Sequence, residues 1–146
     1  MSTTSLQITA QPRLAVASAL LASANLPTED LTEEHCEHFF FLGPSDAPLG
    51  LVGIELLGDV ALLRSLVVSP NARQSGAGSA LVRHAENYAR DRGVRGLYLL
   101  TTTAEAFFAR RGYSRASRDV APATIRSTKE FAGICPSSSA FMFKQL

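Results

Sequence analysis

Arg73, Gly76 and Gly78 stand in a short loop between an apolar run and a helical pattern, within residues 66–81. A loop of this kind suits phosphate. The first amides of a helix have no carbonyl partner, and the positive end of the helix dipole lies there too. Glycine lets phosphate oxygens approach the backbone, and arginine adds a forked cation. Two common phosphate loops are excluded. There is no Gly-Lys-Ser/Thr ending, and there is no GxGxxG spacing followed by an acidic residue at ribose distance. An ordinary strand-to-helix turn has the same composition, so the loop alone leaves both readings open.

A second candidate pair is Glu55 and Arg64. The apolar runs 49–57 and 60–68 are joined by Gly58-Asp59, a glycine-first loop that suits a type II′ hairpin. That turn pairs Leu57 with Val60, Glu55 with Leu62 and Gly53 with Arg64. Glu55 and Arg64 become diagonal neighbours on one face, within reach of each other. A carboxylate beside a guanidinium in an apolar strand pair is uncommon enough to carry either chemistry or support.

The remaining pattern supplies the elements that must position these groups. Strands are predicted at 6–10, 39–42, 97–101, 113–118 and 139–144. A first helix covers 12–23, with Leu14, Ala17, Leu20, Leu21 and Ala24 on its apolar face. The helix after the loop has Ala77, Leu81, Ala85, Tyr88 and Ala89 inward and Gly93 as its stop. A short helix over 104–111 ends at Gly112, and another spans 122–133. The resulting order, β-α-β-β-β-α-β-α-β-α-β, describes an α/β (α+β) protein with a mixed central sheet and helices on both faces.

The chain has 146 residues and a formal net charge of +1. That suits a single domain, residues 1–146, and carries no basic excess of the kind nucleic acid or an anionic membrane would attract. No run reaches the roughly 18 apolar residues of a membrane span. Arg13, the apolar run 14–24 and Ala22-Ser23-Ala24 have some features of a signal peptide. Residues 2–11 carry no charge, however, and the run has helical periodicity. Cys36 and Cys135 lie far apart with no CxxC partner, which fits reduced thiols and a cytoplasmic chain. His35, His38 and His84 are expected to show no metal-ligand clustering with carboxylates, and His84 is expected on the outer face of its helix.

Arg73-x-x-Gly76-x-Gly78, preceded by Val67-Val68-x-Pro70, resembles the acetyl-CoA pyrophosphate loop of the GNAT N-acetyltransferases. Ala104-x-x-Phe107-Phe108-x-x-x-Gly112-Tyr113 resembles their second motif, and the element order agrees along nearly the whole chain. A closer likeness is to the small GNAT proteins associated with arsenic-resistance operons. Residues 58–66, 97–104 and Phe131-Ala132-x-x-Cys135-Pro136 carry it.

The resemblance implies the GNAT fold, acetyl-CoA as cosubstrate and a primary amine on a small, amino-acid-like acceptor. An arsenic- or phosphorus-bearing amino acid falls within that class. It places acetyl-CoA where the strand ending at Val68 splays from the strand at Leu97. The main chain of Leu66, Val67 and Val68 would hold the thioester and pantetheine. The segment Arg73, Gln74, Ser75, Gly76, Ala77, Gly78 and Ser79 would hold the pyrophosphate. Thr101, Thr102, Phe107 and Phe108 would flank the cofactor. The residue pattern leads to no expected metal, and homodimers are common in the family.

Glu55 is the first candidate for the base, with Arg64 either its partner or an anchor for the acceptor's carboxylate. Ser65 completes the candidate catalytic set if a bulge turns it inward. Arg126 and Cys135 are candidates for the acceptor side. Many members carry a tyrosine acid at the position of Phe108, which has no proton to give. That leaves water, Thr102 or Tyr113 for the leaving thiolate, and it keeps open a non-catalytic acyl-CoA-binding protein. A protein N-acetyltransferase is a third reading.

Overall fold

The computed structural model describes residues 7–26, 28–72, 76–134 and 139–146. The elements run in chain order. They are β1 (Ile8–Ala10), α1 (Leu14–Ser23), α2 (Glu33–Cys36), β2 (Phe39–Leu42), β3 (Gly50–Leu57) and β4 (Val60–Val68). After a 3₁₀ turn (Pro70–Ala72) come α3 (Ala77–Asp91), β5 (Gly96–Thr101), α4 (Glu105–Ala109) and β6 (Ser114–Arg115). A second 3₁₀ turn (Arg118–Val120), α5 (Ala123–Arg126), a π-type turn (Glu130–Ile134) and β7 (Ala140–Gln145) complete the chain. Hydrogen bonding orders one mixed sheet as β1-β2-β3-β4-β5-β7-β6.

The chain packs as two compact units: Met1–Gly53 with Ser65–Ala85, and Ile54–Arg64 with Glu86–Leu146. In the first unit, β2 pairs antiparallel with β1 (Phe41 opposite Thr9) and with β3 (Phe40 opposite Val52). Every residue of β2 is buried, as its unbroken apolar run requires. Ala17 and Leu21 of α1 are fully enclosed and pack in one cluster with Cys36, Phe39, Phe41, Leu51 and Val67. The run 14–23 is thus a core helix of this unit, and Leu14, Leu20 and Ala24 pack against the same cluster.

In the second unit, β7 lies between β5 and β6 and is antiparallel to both. β4 and β5 run parallel, with Val60 opposite Gly96 and Leu62 opposite Tyr98. Among the described residues that register stops at Leu62 and Tyr98. β4 nevertheless continues through Leu63 and Arg64, and β5 through Leu99, Leu100 and Thr101. The core here gathers Leu62, Ala121, Ile125 and Phe141, with Tyr98 and Phe131 against it.

Local chemistry explains most boundaries. At the β3–β4 turn Gly58 has φ +85, and Asp59 is not among the residues with positive φ. A type II′ turn requires this combination, whereas type I′ needs both positive. α3 ends in a Schellman motif, with the Gly93 amide bonded to the Arg90 carbonyl and the Val94 amide to the Ala89 carbonyl.

Two expectations change. The helix predicted over 122–133 is broken into α5 and the π-type turn. Thr128 Oγ1 donates to the Ile125 carbonyl at 2.7 Å and accepts from the Phe131 amide at 3.3 Å. Ser127 Oγ donates to the Ala123 carbonyl at 2.8 Å. The Ser127 amide still bonds the Ala123 carbonyl at 3.0 Å, so the ladder fails beyond it, where the Thr128 hydroxyl takes the Phe131 amide. The strand predicted over 113–118 shrinks to Ser114–Arg115, because the Ser117 side chain accepts from the Asp119 amide and starts the 3₁₀ turn.

Candidate functional site

The phosphate-type loop belongs to the first unit. Arg73, Gln74 and Ser75 lie outside the described residues. Gly76 is exposed with φ +84, a conformation that L side chains rarely adopt. α3 starts at Ala77, and the Ala80 amide reaches back to the Gly76 carbonyl at 3.0 Å. The amides ahead of that bond, at Ala77 and Gly78, are those a helix leaves without an intrahelical acceptor. Ala77 is buried, while Gly78 and Ser79 are half-buried. In β4, Leu66 and Val68 are half-buried and Val67 is buried. Ser65 has φ +61, so the strand is not regular at that residue. A left-handed residue inside a strand marks a bulge and redirects the residues after it.

The other candidates belong to the second unit. The predicted meeting of Glu55 and Arg64 is present: Arg64 Nη1 donates to Glu55 Oε2 at 2.8 Å. Arg64 Nη2 also lies 3.1 Å from Glu130 Oε2. The Arg64 side chain is 0% exposed, Glu55 15% and Glu130 5%. Burying three ionisable groups is tolerable only when charges are paired and hydrogen-bonded, as here. With its guanidinium between two carboxylates and no exposed surface, Arg64 is built to hold Glu55 and Glu130. It offers no open face to an acceptor carboxylate.

Thr101 Oγ1 accepts from the Ala104 amide at 3.0 Å and shapes the entry to α4, while Thr102 is exposed. Phe108 is buried, edge-on to Phe107 (5.1 Å) and to Tyr113 (5.4 Å). Phe107 is half-buried beneath the Arg111 guanidinium, 3.6 Å from its ring centre. Tyr113 is buried and donates to Glu86 Oε2 at 2.9 Å, an oxygen that also accepts from Lys144 Nζ at 3.0 Å. Burial, and then the neighbouring Glu86 carboxylate, push the Tyr113 phenol well above its usual range. It is correspondingly reluctant to release its proton.

Arg126 is exposed, and its guanidinium is turned to the backbone. Nε donates to the Ala121 carbonyl at 2.9 Å and Nη2 to the Asp119 carbonyl at 2.5 Å. Cys135 lies outside the described residues. His84 departs from expectation: it is half-buried, with its ring edge-on to Phe40 at 4.6 Å. Burial lowers its pKa from the ordinary imidazole value. His35 caps its own helix, its Nδ1 accepting from the Thr32 amide at 3.3 Å.

Sequence reasoning missed Glu130 and Glu86. A signal existed for Glu86: it lies four residues after the buried Val82 and between the buried Ala85 and Ala89. No such signal existed for Glu130, which follows Lys129 within the helix expected over 122–133, a helix that the structure breaks before it.

The profile of the Acetyltransferase (GNAT) family matches residues 11–113. The chain belongs to the GNAT family. A relative, the amino-acid acetyltransferase of Neisseria meningitidis serogroup A, is 31% identical over 101 residues, covering 68% of this chain and 23% of its own length. The matched stretch spans 14% to 23% of the length of the curated relatives. Among solved structures, N-acetylglutamate synthase from Neisseria gonorrhoeae with coenzyme A and N-acetyl-glutamate superposes with a TM-score of 0.83. The identity is 24%, over 99% of this chain and 36% of that one. The same enzyme with coenzyme A and L-arginine gives 0.80 at 26% identity, over 97% and 33%. The GNAT fold, with its mixed seven-stranded sheet, is therefore the architecture of this protein.

Proposed function

We propose that this GNAT protein transfers the acetyl group of acetyl-CoA to the primary amine of a small, amino-acid-like acceptor. The observation that carries the reading is the family match over residues 11–113, supported by relatives named amino-acid acetyltransferases. Coenzyme A in the gonococcal structure at 26% identity supports the cosubstrate. In this reading, the amides opening α3, together with Arg73, Gln74 and Ser75 just ahead of it, hold the pyrophosphate. The main chain of Leu66, Val67 and Val68 holds the thioester and pantetheine arm.

Glu55, kept in place by Arg64, takes one proton from the acceptor ammonium. The neutral amine forms a C–N bond to the thioester carbon, and the C–S bond then breaks with its electron pair on sulfur. The second nitrogen proton leaves through water or with the thiolate. The products are an N-acetyl amine, coenzyme A thiol and one proton. An oxyanion at the thioester would draw on a backbone amide of β4. The likeness to arsenic-resistance GNAT proteins adds arsenic- and phosphorus-bearing amino acids to the acceptors worth testing.

A second reading, a non-catalytic acyl-CoA-binding protein, is favoured by one observation. Phe108 fills the usual place of a tyrosine acid, and Tyr113 is committed to Glu86. Free-thiol release from acetyl-CoA, measured over a panel of L-amino acids and simple amines, separates the two. Acceptor-dependent turnover supports the enzyme. Tight acetyl-CoA binding with release at background for every amine supports the binding protein.

A further inference from the structure

α4 has five residues, too few for a helix to keep its shape in water without outside support. Its C-terminus closes in a Schellman motif. The Tyr113 amide bonds the Phe108 carbonyl at 3.1 Å, the Gly112 amide bonds the Ala109 carbonyl at 3.2 Å, and Gly112 has φ +95. The apolar contact of that motif is the Tyr113 ring, edge-on to Phe108 at 5.4 Å. The same tyrosine also reaches beyond the motif. Its buried hydroxyl donates to Glu86 Oε2 of α3 at 2.9 Å, and Lys144 Nζ of β7 donates to that oxygen at 3.0 Å. We propose that Glu86 is a positioning residue for acetyl-CoA: acting through Tyr113, it sets α4, with its Phe107 ring, where the cofactor is received. This rests on the acetyltransferase reading, in which Phe107 and Phe108 flank the cofactor, and extends it to a residue that acts only through another side chain.

Three features support the assignment. The anchor is dry: the Glu86 side chain is 8% exposed and Tyr113 is buried. A phenol donating to a carboxylate is a charge-assisted bond, and it gains strength away from water. The carboxylate is itself held in place. The Lys144 stem runs beside Gly112, where a Cβ would stand 3.3 Å from Lys144 Cε, closer than an ordinary contact. Gly112 thus serves twice, supplying the left-handed turn after α4 and leaving room for the lysine that meets Glu86. Finally, the path from Tyr113 to Phe107 is short and stiff. Phe108 is edge-on to Phe107 at 5.1 Å, the Arg111 guanidinium lies 3.6 Å from the Phe107 ring centre, and Arg111 Nη1 donates to the Phe107 carbonyl at 2.7 Å. Phe107 therefore moves with α4 as a whole, and a binding group is most precise when its support cannot relax.

Without the anchor α4 samples other placements, and the cofactor binds only the competent fraction, so its apparent Kd rises as that fraction falls. The test uses the full chain and calorimetric titration with coenzyme A, at a temperature below the onset of unfolding. Glu86→Ala is expected to weaken coenzyme A about tenfold, a competent fraction of about one tenth. Tyr113→Phe, which removes only the hydroxyl, weakens it to a similar extent. The double variant is no weaker than either single one, because both cut the same path. Glu86→Gln, whose amide oxygen still accepts from Tyr113, recovers most of the affinity, and KM for the amine in the thiol-release assay stays unchanged. Unchanged coenzyme A affinity in either single variant overturns the proposal, and so do losses that add in the double. An amine KM that rises in step overturns it too, because that pattern belongs to general loosening. If Glu86→Ala does not fold, Tyr113→Phe and Glu86→Gln still decide: the first must weaken coenzyme A and the second must not. Wild type that fails to bind coenzyme A removes the cofactor reading, and this inference falls with it. Binding with an indifferent Glu86 removes the inference alone.

Discussion

The Arg64 guanidinium meets the Glu130 carboxylate at 3.1 Å with side-chain exposures of 0% and 5%. Because Glu55 shares the same guanidinium, one arginine holds β3 and the segment after α5 to β4 at a single point. A surface ion pair would contribute little. An enclosed one behaves differently, since removing one partner takes a compensating charge from a buried group.

Arg64→Ala is therefore expected to destabilise the chain by roughly 3 kcal/mol, because the Glu130 carboxylate, 5% exposed, loses the guanidinium that compensates its burial. Urea unfolding measures this. Acceptor KM should rise in whatever folded protein remains, while acetyl-CoA affinity holds. A stability loss under about 1 kcal/mol, the range of surface pairs, would show that the cluster is solvated in solution.

Gly76→Glu should abolish most acetyl-CoA binding. A Cβ at Gly76 meets nothing within 4 Å, so crowding is not the cause. The φ of +84 strains any L side chain, by roughly 1–2 kcal/mol, and a carboxylate opposes diphosphate at the opening of α3. Calorimetric titration with coenzyme A should show a loss of at least about tenfold. Unchanged affinity would refute the loop assignment.

Tyr113→Phe separates support from proton donation. The buried hydroxyl bonds Glu86, and its loss should cost about 1–2 kcal/mol of stability. The folded-state pKa is raised, so the folded protein holds this proton more tightly than the unfolded chain. The resulting stability is complete below about pH 10 and declines as pH rises above it. Stability curves of wild type and variant should therefore converge in alkali. Thiol release should keep its rate; a hundredfold fall would make Tyr113 the acid after all.

His84→Gln tests the opposite sign. Burial against Phe40 lowers the His84 pKa, so the unfolded chain binds its proton more readily. Stability from the neutral ring is present above about pH 6.5 and is lost as pH falls through and below it. The variant should lose that acid-side slope between about pH 5 and 7 in thermal unfolding. Parallel curves would place the ring in water.

What the chain alone determined is the part governed by neighbours in sequence. Gly58-Asp59 dictates a hairpin turn, and that turn in turn brings Glu55 to Arg64. The apolar face of residues 14–23 dictates a buried helix, and Gly76-Ala77-Gly78 marks where α3 opens. Torsional preference and periodicity act over a few residues, so they can be read without a fold. Glu130 reaching Arg64, Glu86 accepting from both Tyr113 and Lys144, and the breakage of the 122–133 helix were decided only by tertiary structure. Each depends on which groups share a dry interior, and burial gives a carboxylate or hydroxyl a partner that spacing along the chain does not specify.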